Sequence, residues 1–307
     1  VVKLDRLRMT NTTDSSSQTR SGFSAASFIH AWRRDLLLAI GFFTRLPIGR
    51  FIQPAPPNPG VNPGPIPAGP AAEAAIAESA AATAPQLELA QAARAFPLVG
   101  LIVGIIGGLA YLFAVRIGLS IPLAALLAVA ATAAVTGALH EDGWADFADG
   151  LGARGDRRRK LAAMKDSHIG SFGVLALLFA TAIKVAALIS LGAPDRVMAA
   201  LIAAHALSRA VLPLAMRSLP LATTTGLAVT AGKPKAESVF WSLVLGFAAA
   251  FFAEFLTAIA LIVVAVVAAW LVGRIAEREF GGYTGDVLGA IEQIAEVAVL
   301  LNLVSLR

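Results

Sequence analysis

Residues 98–139 read LVGLIVGIIGGLAYLFAVRIGLSIPLAALLAVAATAAVTGAL. Two apolar runs, 98–115 and 121–139, follow each other, and only Gly118, Ser120 and Pro122 break the pattern around Leu119. At about 1.5 Å of rise per residue, each run as a helix can cross a hydrocarbon layer of about 30 Å. A bilayer core offers the backbone no hydrogen-bond partner, so helices are the structure that such runs can adopt there. The spacing predicts a tight transmembrane hairpin. Gly100, Gly104, Gly107 and Gly108 put a stripe of small residues on its first helix, suited to close packing against a neighbour.

The second run leads into the part of the chain richest in chemically able side chains, residues 139–172, LHEDGWADFADGLGARGDRRRKLAAMKDSHIGSF. Asp142, Asp146 and Asp149 are spaced i, i+4, i+7, so in a helix turning about 100° per residue their carboxylates share one narrow face. Three crowded anions repel one another and are best tolerated around a cation. Hard carboxylate oxygens suit Mg²⁺, which takes a few carboxylates and completes its shell with water and substrate phosphates. Downstream, Asp156 is a good N-cap followed at once by Arg157, Arg158, Arg159 and Lys160. Four cations in a first helical turn oppose the helix dipole, so an anion should offset them. Anionic lipid headgroups and a phosphate-bearing substrate both fit, and the two are compatible.

The rest of the chain supports a membrane setting. Of its 307 residues, 57% are hydrophobic and 15% charged, with a mean hydropathy of +0.73, far more apolar than a soluble domain. With no cysteine there is neither a disulfide framework nor a thiolate metal site. A net charge of +5 fits basic cytoplasmic loops or an anionic substrate; in so apolar a chain, nucleic acid is not an expected partner. Further spans are read at 172–191, 197–216, 239–253, 255–272 and 287–306, with the long run 239–272 divided near Glu254. The expected fold is an all-α integral membrane protein, a polytopic bundle of about seven transmembrane helices. Lysine and arginine cluster at 33–34, 154–165, 217–235 and 274–278, which places these loops in the cytoplasm and the last residues outside.

Upstream of the hairpin, residues 1–28 are read as a disordered polar tail. They show no apolar stretch with a small-residue cleavage site, so no cleaved signal peptide is expected. Residues 29–52 hold an apolar piece too short to span, read as an interfacial or re-entrant helix. Residues 53–95 are a Pro- and Ala-rich low-complexity insertion, with a weakly amphipathic surface helix expected over 71–95. A transmembrane catalytic domain, 96–307, follows, with its active-site loop at 139–172.

Near the last span, Gly281–Gly285 form a glycine-rich turn capped by Thr284, and such a helix N-terminus offers free N–H groups to a phosphate. Asp286 lies in the first turn, with Gln293 on the same face. Within the spans Lys184, His205, Arg209, Glu254, Glu292 and Glu296 are candidates because buried ionisable groups are costly; taken singly, each reads equally as half of an interhelical pair. These residues together point to a Mg²⁺-dependent membrane enzyme acting on a phosphate or diphosphate ester at the cytoplasmic face, with an aspartate or His140 taking a proton from the attacking hydroxyl. Spacing alone does not separate phosphoalcohol transfer from prenyl transfer.

Five ordered motifs narrow the choice: FFTRLP at 42–47, FPLVG at 96–100, GALHEDGWADFADGLG at 137–152, MKDSHIGSFG at 164–173 and GGYTGDVLGA at 281–290. In these the chain resembles the cobalamin synthase family, the adenosylcobinamide-GDP ribazoletransferases. The resemblance implies that adenosylcobinamide-GDP and α-ribazole, or α-ribazole 5'-phosphate, are joined with release of GMP, late in cobalamin biosynthesis and with Mg²⁺. It implies metal ligation by Asp142, Asp146 and Asp149, with Asp146 also in the chemistry. From their motifs, Asp286 is a further metal ligand and Asp166 a further catalytic group, with His140 a candidate base. Arg154, Lys165, His168, Arg209 and Thr284 form the expected phosphate- and substrate-binding set. At His168 the family often has Arg, so a phosphate contact there would depend on pH. Glu141 has no assigned role, since an apolar residue can stand there in the family. The resemblance also implies a bacterial inner-membrane location, with membrane lipids and other late corrinoid-assembly enzymes as partners.

Two rival classes carry different signatures. Another Mg²⁺-dependent membrane transferase is one, but Asp142-Gly143 lacks the following Ala-Arg and widely spaced aspartates of CDP-alcohol phosphotransferases. A prenyltransferase should have two matched Asp-rich sets rather than one. An ion-coupled transporter should show an inverted repeat with interrupted helices, and no repeat is visible.

Overall fold

A computed structural model describes residues 25–48 and 89–306. The polar tail up to residue 24 and the insertion up to residue 88 lie outside these bounds, and with them most of the expected surface helix. Among the described residues the structure is helical, with one isolated bridge, Leu221 to Tyr283, and no strand. In order the helices are α1 (Ala25–Phe43), α2 (Leu89–Ala92), a 3₁₀ turn (Ala93–Ala95), α3 (Phe96–Arg116), α4 (Ile121–Thr136), α5 (Leu139–Gly152), α6 (Arg157–Ala163) and α7 (Ser171–Leu191). They continue as α8 (Pro194–Ala210), α9 (Leu212–Ser218), α10 (Leu227–Ala231), α11 (Ala236–Ala253), α12 (Ala258–Phe280) and α13 (Gly285–Ser305).

Six stretches are long and apolar enough to cross a membrane: Leu89–Arg116, Ser171–Leu191, Pro194–Ser218, Ala236–Ala253, Ala258–Phe280 and Gly285–Ser305. A seventh is reached if α4 and α5, bent by 91° at a short break, count as one. The first crossing begins at Leu89 rather than 96, because α2 and the 3₁₀ turn continue into α3; their Leu89, Ala92, Ala93 and Ala95 are buried instead of lying on the surface. The expected division near Glu254 is present. There the backbone leaves the helix (φ −142°, ψ 68°) and separates α11 from α12.

Burial sorts the helices. In the windows that qualify as spans, 78% of residues are buried for Pro194–Ser218 and 67% for α13, against 28% for α7 and α11. The α8–α9 stretch and α13 therefore form the centre, and the outer helices turn large side chains such as Leu178, Phe179 and Phe252 outward, as a lipid-facing surface requires. The glycine stripe of α3 makes the tightest helix contact. A Cβ on Gly100 would fall on the carbonyl group of His205, and one on Gly104 on the backbone of Leu201 and Ile202 in α8. Such backbone approach is available only to small residues.

α1 is 19 residues long but is not among the helices apolar enough to cross. It is fastened to the start of the bundle by Arg94, whose Nε meets Asp35 at 2.7 Å and whose guanidinium lies 4.3 Å from the centre of the Trp32 ring. The segment after it docks on the α4–α5 bend, where Arg45 N–H donates to the Val135 carbonyl at 2.8 Å. The bend itself is made by two successive left-handed residues, Gly137 (φ 65°) and Ala138 (φ 56°). Glycine tolerates that region; alanine there is held at a cost of order 1 kcal/mol.

Gly100→Ala should force α3 away from α8 and lower the stability of the detergent-solubilised protein by about 1–3 kcal/mol. Gly285→Ala, where an added Cβ meets nothing within 4 Å, should leave thermal unfolding close to wild type.

Candidate functional site

The stretch 139–172, read as a loop, is mostly helical, and its first helix presents the aspartates as the spacing requires. α5 rests on α13 through two glycines: a Cβ on Gly143 would come 3.0 Å from the Asp286 backbone, and one on Gly289 would come 3.1 Å from Gly143 Cα. This contact sets Asp286 beside the aspartate face. Asp146 lies within electrostatic reach of Asp286, Asp142 and Asp149, and Asp286 within that of Asp142 and Lys165. Asp142 is exposed, and Asp146 and Asp286 are half-buried. None of the three forms a salt bridge among the described residues.

Asp149 does something the sequence does not reveal. Its two carboxylate oxygens accept the backbone N–H groups of Gly170, at 2.7 Å, and Gly173, at 2.9 Å. Gly170 is the N-cap position of α7 and has no side chain to cap with, so a carboxylate from α5 satisfies that helix start from a distance. Asp149 thereby positions the start of α7.

The expected phosphate-binding residues fall into three groups. Arg154 and Lys165 are exposed, and Lys165 acts electrostatically on Asp286. Asp166 and His168 are exposed and engage each other: the His168 backbone N–H donates to Asp166 at 3.0 Å, and the ring Nδ1 lies at 3.0 Å. These hydrogen bonds hold the Asp166 carboxyl below the usual carboxylate range. The Thr284 hydroxyl caps α13, accepting from Val287 N–H at 3.3 Å and donating to Asp286 Oδ2 at 3.2 Å, so it orients Asp286 and is not free for a phosphate.

Arg209 is a correction to the expected binding set. It is 1% exposed, and its guanidinium meets Glu292 Oε1 at 2.6 Å inside the bundle, where no phosphate of a bulky substrate can reach it. It belongs to a buried network among α7, α8 and α13. Ser208 also donates to Glu292, while Lys184 meets Glu296 at 2.9 Å and Gln293 at 2.8 Å. His205, Glu292 and Glu296 bring ligand atoms within 4.8 Å of one another, as a metal site would, yet Lys184 and Arg209 already neutralise the two carboxylates. The sequence marked these residues singly as candidates; their partners, from helices far apart in the chain, could not be read from it.

His140 is 4% exposed, with its ring 5.3 Å from that of Phe43. Its Nε2 is shut off from solvent and has no hydrogen-bond partner. α6 begins as expected, with Asp156 accepting from Arg159 N–H at 3.0 Å, and Lys160 is tied to Glu279 of α12.

The family model described as cobalamin-5-phosphate synthase matches residues 35–304. A protein of Bradyrhizobium diazoefficiens named adenosylcobinamide-GDP ribazoletransferase is 40% identical over 275 residues, which are 87% of this chain and 92% of that protein. A protein of the same name from Mesorhizobium japonicum is 41% identical over 213 residues, 69% of this chain and 82% of that protein. One from Azorhizobium caulinodans is 40% identical over 248 residues, 78% and 89% of the two chains. No solved structure matches.

Arg209→Leu strands Glu292 as a buried unpaired charge and should lower stability by roughly 3–5 kcal/mol; Arg209→Leu with Glu292→Leu should recover most of it, read by thermal unfolding in detergent. Asp149→Ala should speed hydrogen exchange at Gly170 and Gly173 and destabilise the protein by about 1 kcal/mol, whereas Asp149→Asn, which keeps one acceptor oxygen, should do so less.

Proposed function

The chain belongs to the cobalamin-5-phosphate synthase family, and from that premise we infer that it is an adenosylcobinamide-GDP ribazoletransferase. It joins adenosylcobinamide-GDP to α-ribazole, or to α-ribazole 5'-phosphate, giving adenosylcobalamin or its 5'-phosphate and GMP. The observation that carries the assignment of the site is the aspartate face of α5 lying against Asp286 of α13, with no salt bridge to Asp142, Asp146 or Asp286 among the described residues.

Those carboxylates fit Mg²⁺. Asp142, Asp146 and Asp286 are solvent-reachable hard oxygen donors, and Mg²⁺ asks only one or two protein carboxylates beside water and phosphate oxygens. When bound, the ion would withdraw charge from the phosphoryl oxygens. The protein's own part is positional. A hydroxyl of the ribazole sugar attacks the phosphorus that carries the cobinamide; the new P–O bond forms as the bond to the GMP phosphate breaks, and GMP leaves with that oxygen. Asp146 takes the hydroxyl proton, and Asp286, oriented by Thr284, holds the other side of the reacting group. Lys165, exposed and within electrostatic reach of Asp286, and the exposed Arg154 attract the anionic diphosphate.

The basic residues of α6 and the Arg274–Arg278 end of α12 support a cytoplasmic face for the site in a bacterial inner membrane, with anionic headgroups beneath them. The pairing of Arg209 with Glu292 and of Lys184 with Glu296 favours this enzyme over an ion-coupled transporter, whose path would need those charges left open.

GMP release measured in lipid vesicles should require both substrates and Mg²⁺ and stop with EDTA. Asp146→Asn should reduce kcat by about 10²–10⁴-fold. A full rate in Asp146→Asn would remove the assignment of the aspartate face, and a well-folded wild type without turnover would remove the reaction.

A further inference from the structure

An open cleft of about 670 Å³ is lined by Lys165 together with the segment that joins α9 to α10. That segment is pinned to the site. Tyr283 N–H donates to the Pro220 carbonyl at 2.9 Å, and Ala222 N–H donates to the Tyr283 carbonyl at 3.0 Å. A Cβ on Gly282 would fall 2.1 Å from the Pro220 oxygen, so only glycine permits the approach. Tyr283 immediately precedes Thr284, which caps α13 and orients Asp286. One wall of the cleft is therefore bonded to the backbone three residues before a carboxylate of the site. That wall carries three successive threonines, Thr223, Thr224 and Thr225. The Thr223 hydroxyl donates to the Thr225 carbonyl at 2.9 Å. Thr224 and Thr225 are exposed, and their hydroxyls make no hydrogen bond among the described residues.

Lys165 faces these threonines across the cleft. It is exposed, forms no salt bridge among the described residues, and acts electrostatically on Asp286. Among the described residues no acidic side chain lines the cleft. One cation and two open hydroxyls, with no carboxylate among them, suit a ligand that is anionic at one end and bears hydroxyls next to that end. The phosphoryl-transfer steps ask only a long-range pull of Lys165 and ask nothing of the threonines. We propose that the cleft binds the ribose phosphate of a nucleotide, with Lys165 on the phosphate and Thr224 and Thr225 on the sugar. The proposal rests on the reading of the reaction given above and adds residues 221–225 to it as a binding element. Two parts of the substrates have this chemistry: the GMP half of adenosylcobinamide-GDP, which leaves, and α-ribazole 5'-phosphate, which attacks. The corrin ring lacks it, because its neutral amide side chains give Lys165 no counter-ion. Leu221, 45% exposed, and Val229 add an apolar stretch to the same wall, on which the flat face of a base can lie.

The test reads binding and turnover side by side in nanodiscs of zwitterionic lipid. It compares wild type, Lys165→Gln, Thr224→Val with Thr225→Val, and Thr224→Ser with Thr225→Ser, each checked for a wild-type-like thermal transition. Valine keeps the shape of threonine and removes the hydroxyl, whereas serine keeps the hydroxyl and shows that the loop itself is intact. Calorimetry gives Kd for GMP and for α-ribazole 5'-phosphate, and GMP release gives KM for each substrate. In the valine variant one of the two nucleotides should lose about tenfold in Kd, and the substrate that carries it about tenfold in KM. Lys165→Gln should weaken the same nucleotide at least as much, and the serine variant should bind as wild type does. A joint loss for GMP and adenosylcobinamide-GDP assigns the cleft to the leaving half; a loss for α-ribazole 5'-phosphate assigns it to the attacking nucleotide. Unchanged constants in the valine variant, or turnover by a wild type that binds neither nucleotide, overturn the cleft assignment and leave the reaction standing. A raised KM for adenosylcobinamide-GDP with GMP binding intact gives the cleft to the corrinoid half and overturns the proposal. A nucleotide bound by wild type and lost in the valine variant, with no cobalamin formed, keeps the site and overturns the reaction. No nucleotide bound and no product overturns both.

Discussion

Arg209 and Glu292 meet at 2.6 Å where neither reaches solvent, and the arrangement of the active face depends on that pair and on its neighbour, Lys184 with Glu296. Dispersion and helix-to-helix hydrogen bonds must hold a bundle together in lipid, because the solvent around it is as apolar as its core. Charges buried in such a place are tolerated only when matched. Here the matches tie α7 and α8 to α13 at fixed heights. α13 carries Asp286 six residues before Glu292, so the height of the ion pairs sets the height of Asp286 against the aspartates of α5. The electrostatic interior is therefore a ruler for the site at its end.

A second constraint comes from small residues at contact points. Gly100 and Gly104 bring α3 onto α8, and Gly143 and Gly289 bring α5 onto α13. The first pair builds the frame, the second the site. Between them the left-handed pair Gly137 and Ala138 turns the chain from α4 through 91° into α5. Without that turn the aspartates would continue along the direction of α4 and miss Asp286. The strained alanine is thus found where the chain must change direction to deliver its reactive face.

Much of this was legible before any coordinates. The i, i+4, i+7 spacing of Asp142, Asp146 and Asp149 gives one face because a helix has a fixed period, and the break at Glu254 follows from lengths that a bilayer sets; the second run of the hairpin, expected to cross by itself, ends at Thr136 and reaches spanning length only together with α5 across the bend. Partners distant in the chain were not legible. Nothing in the spacing says that Asp149 bonds the backbone of Gly170 and Gly173, since backbone groups carry no sequence signature. Arg209 looked able to hold a phosphate because an isolated cation in a span shows its charge but not its mate; Glu292 lies 83 positions on. The helix start at Leu89 was missed for a related reason: an alanine-rich run has no apolar period to distinguish it from the insertion before it.

The long separations in the buried network bear on how the protein is made. Lys184 finds Gln293 and Glu296 at sequence distances of 109 and 112, and Arg209 finds Glu292 at 83. A ribosome feeding the membrane delivers α7 and α8 long before α13, so two cations enter lipid, or wait at the insertion machinery, with their carboxylate partners still unsynthesised. Each of these helices is apolar enough to enter the membrane, but its buried cation stays unmatched until α13 arrives. Biogenesis of the bundle is then coupled to completion of its last helix, and a chain halted before residue 292 would present unmatched charge in the membrane, a state that quality-control proteases can recognise.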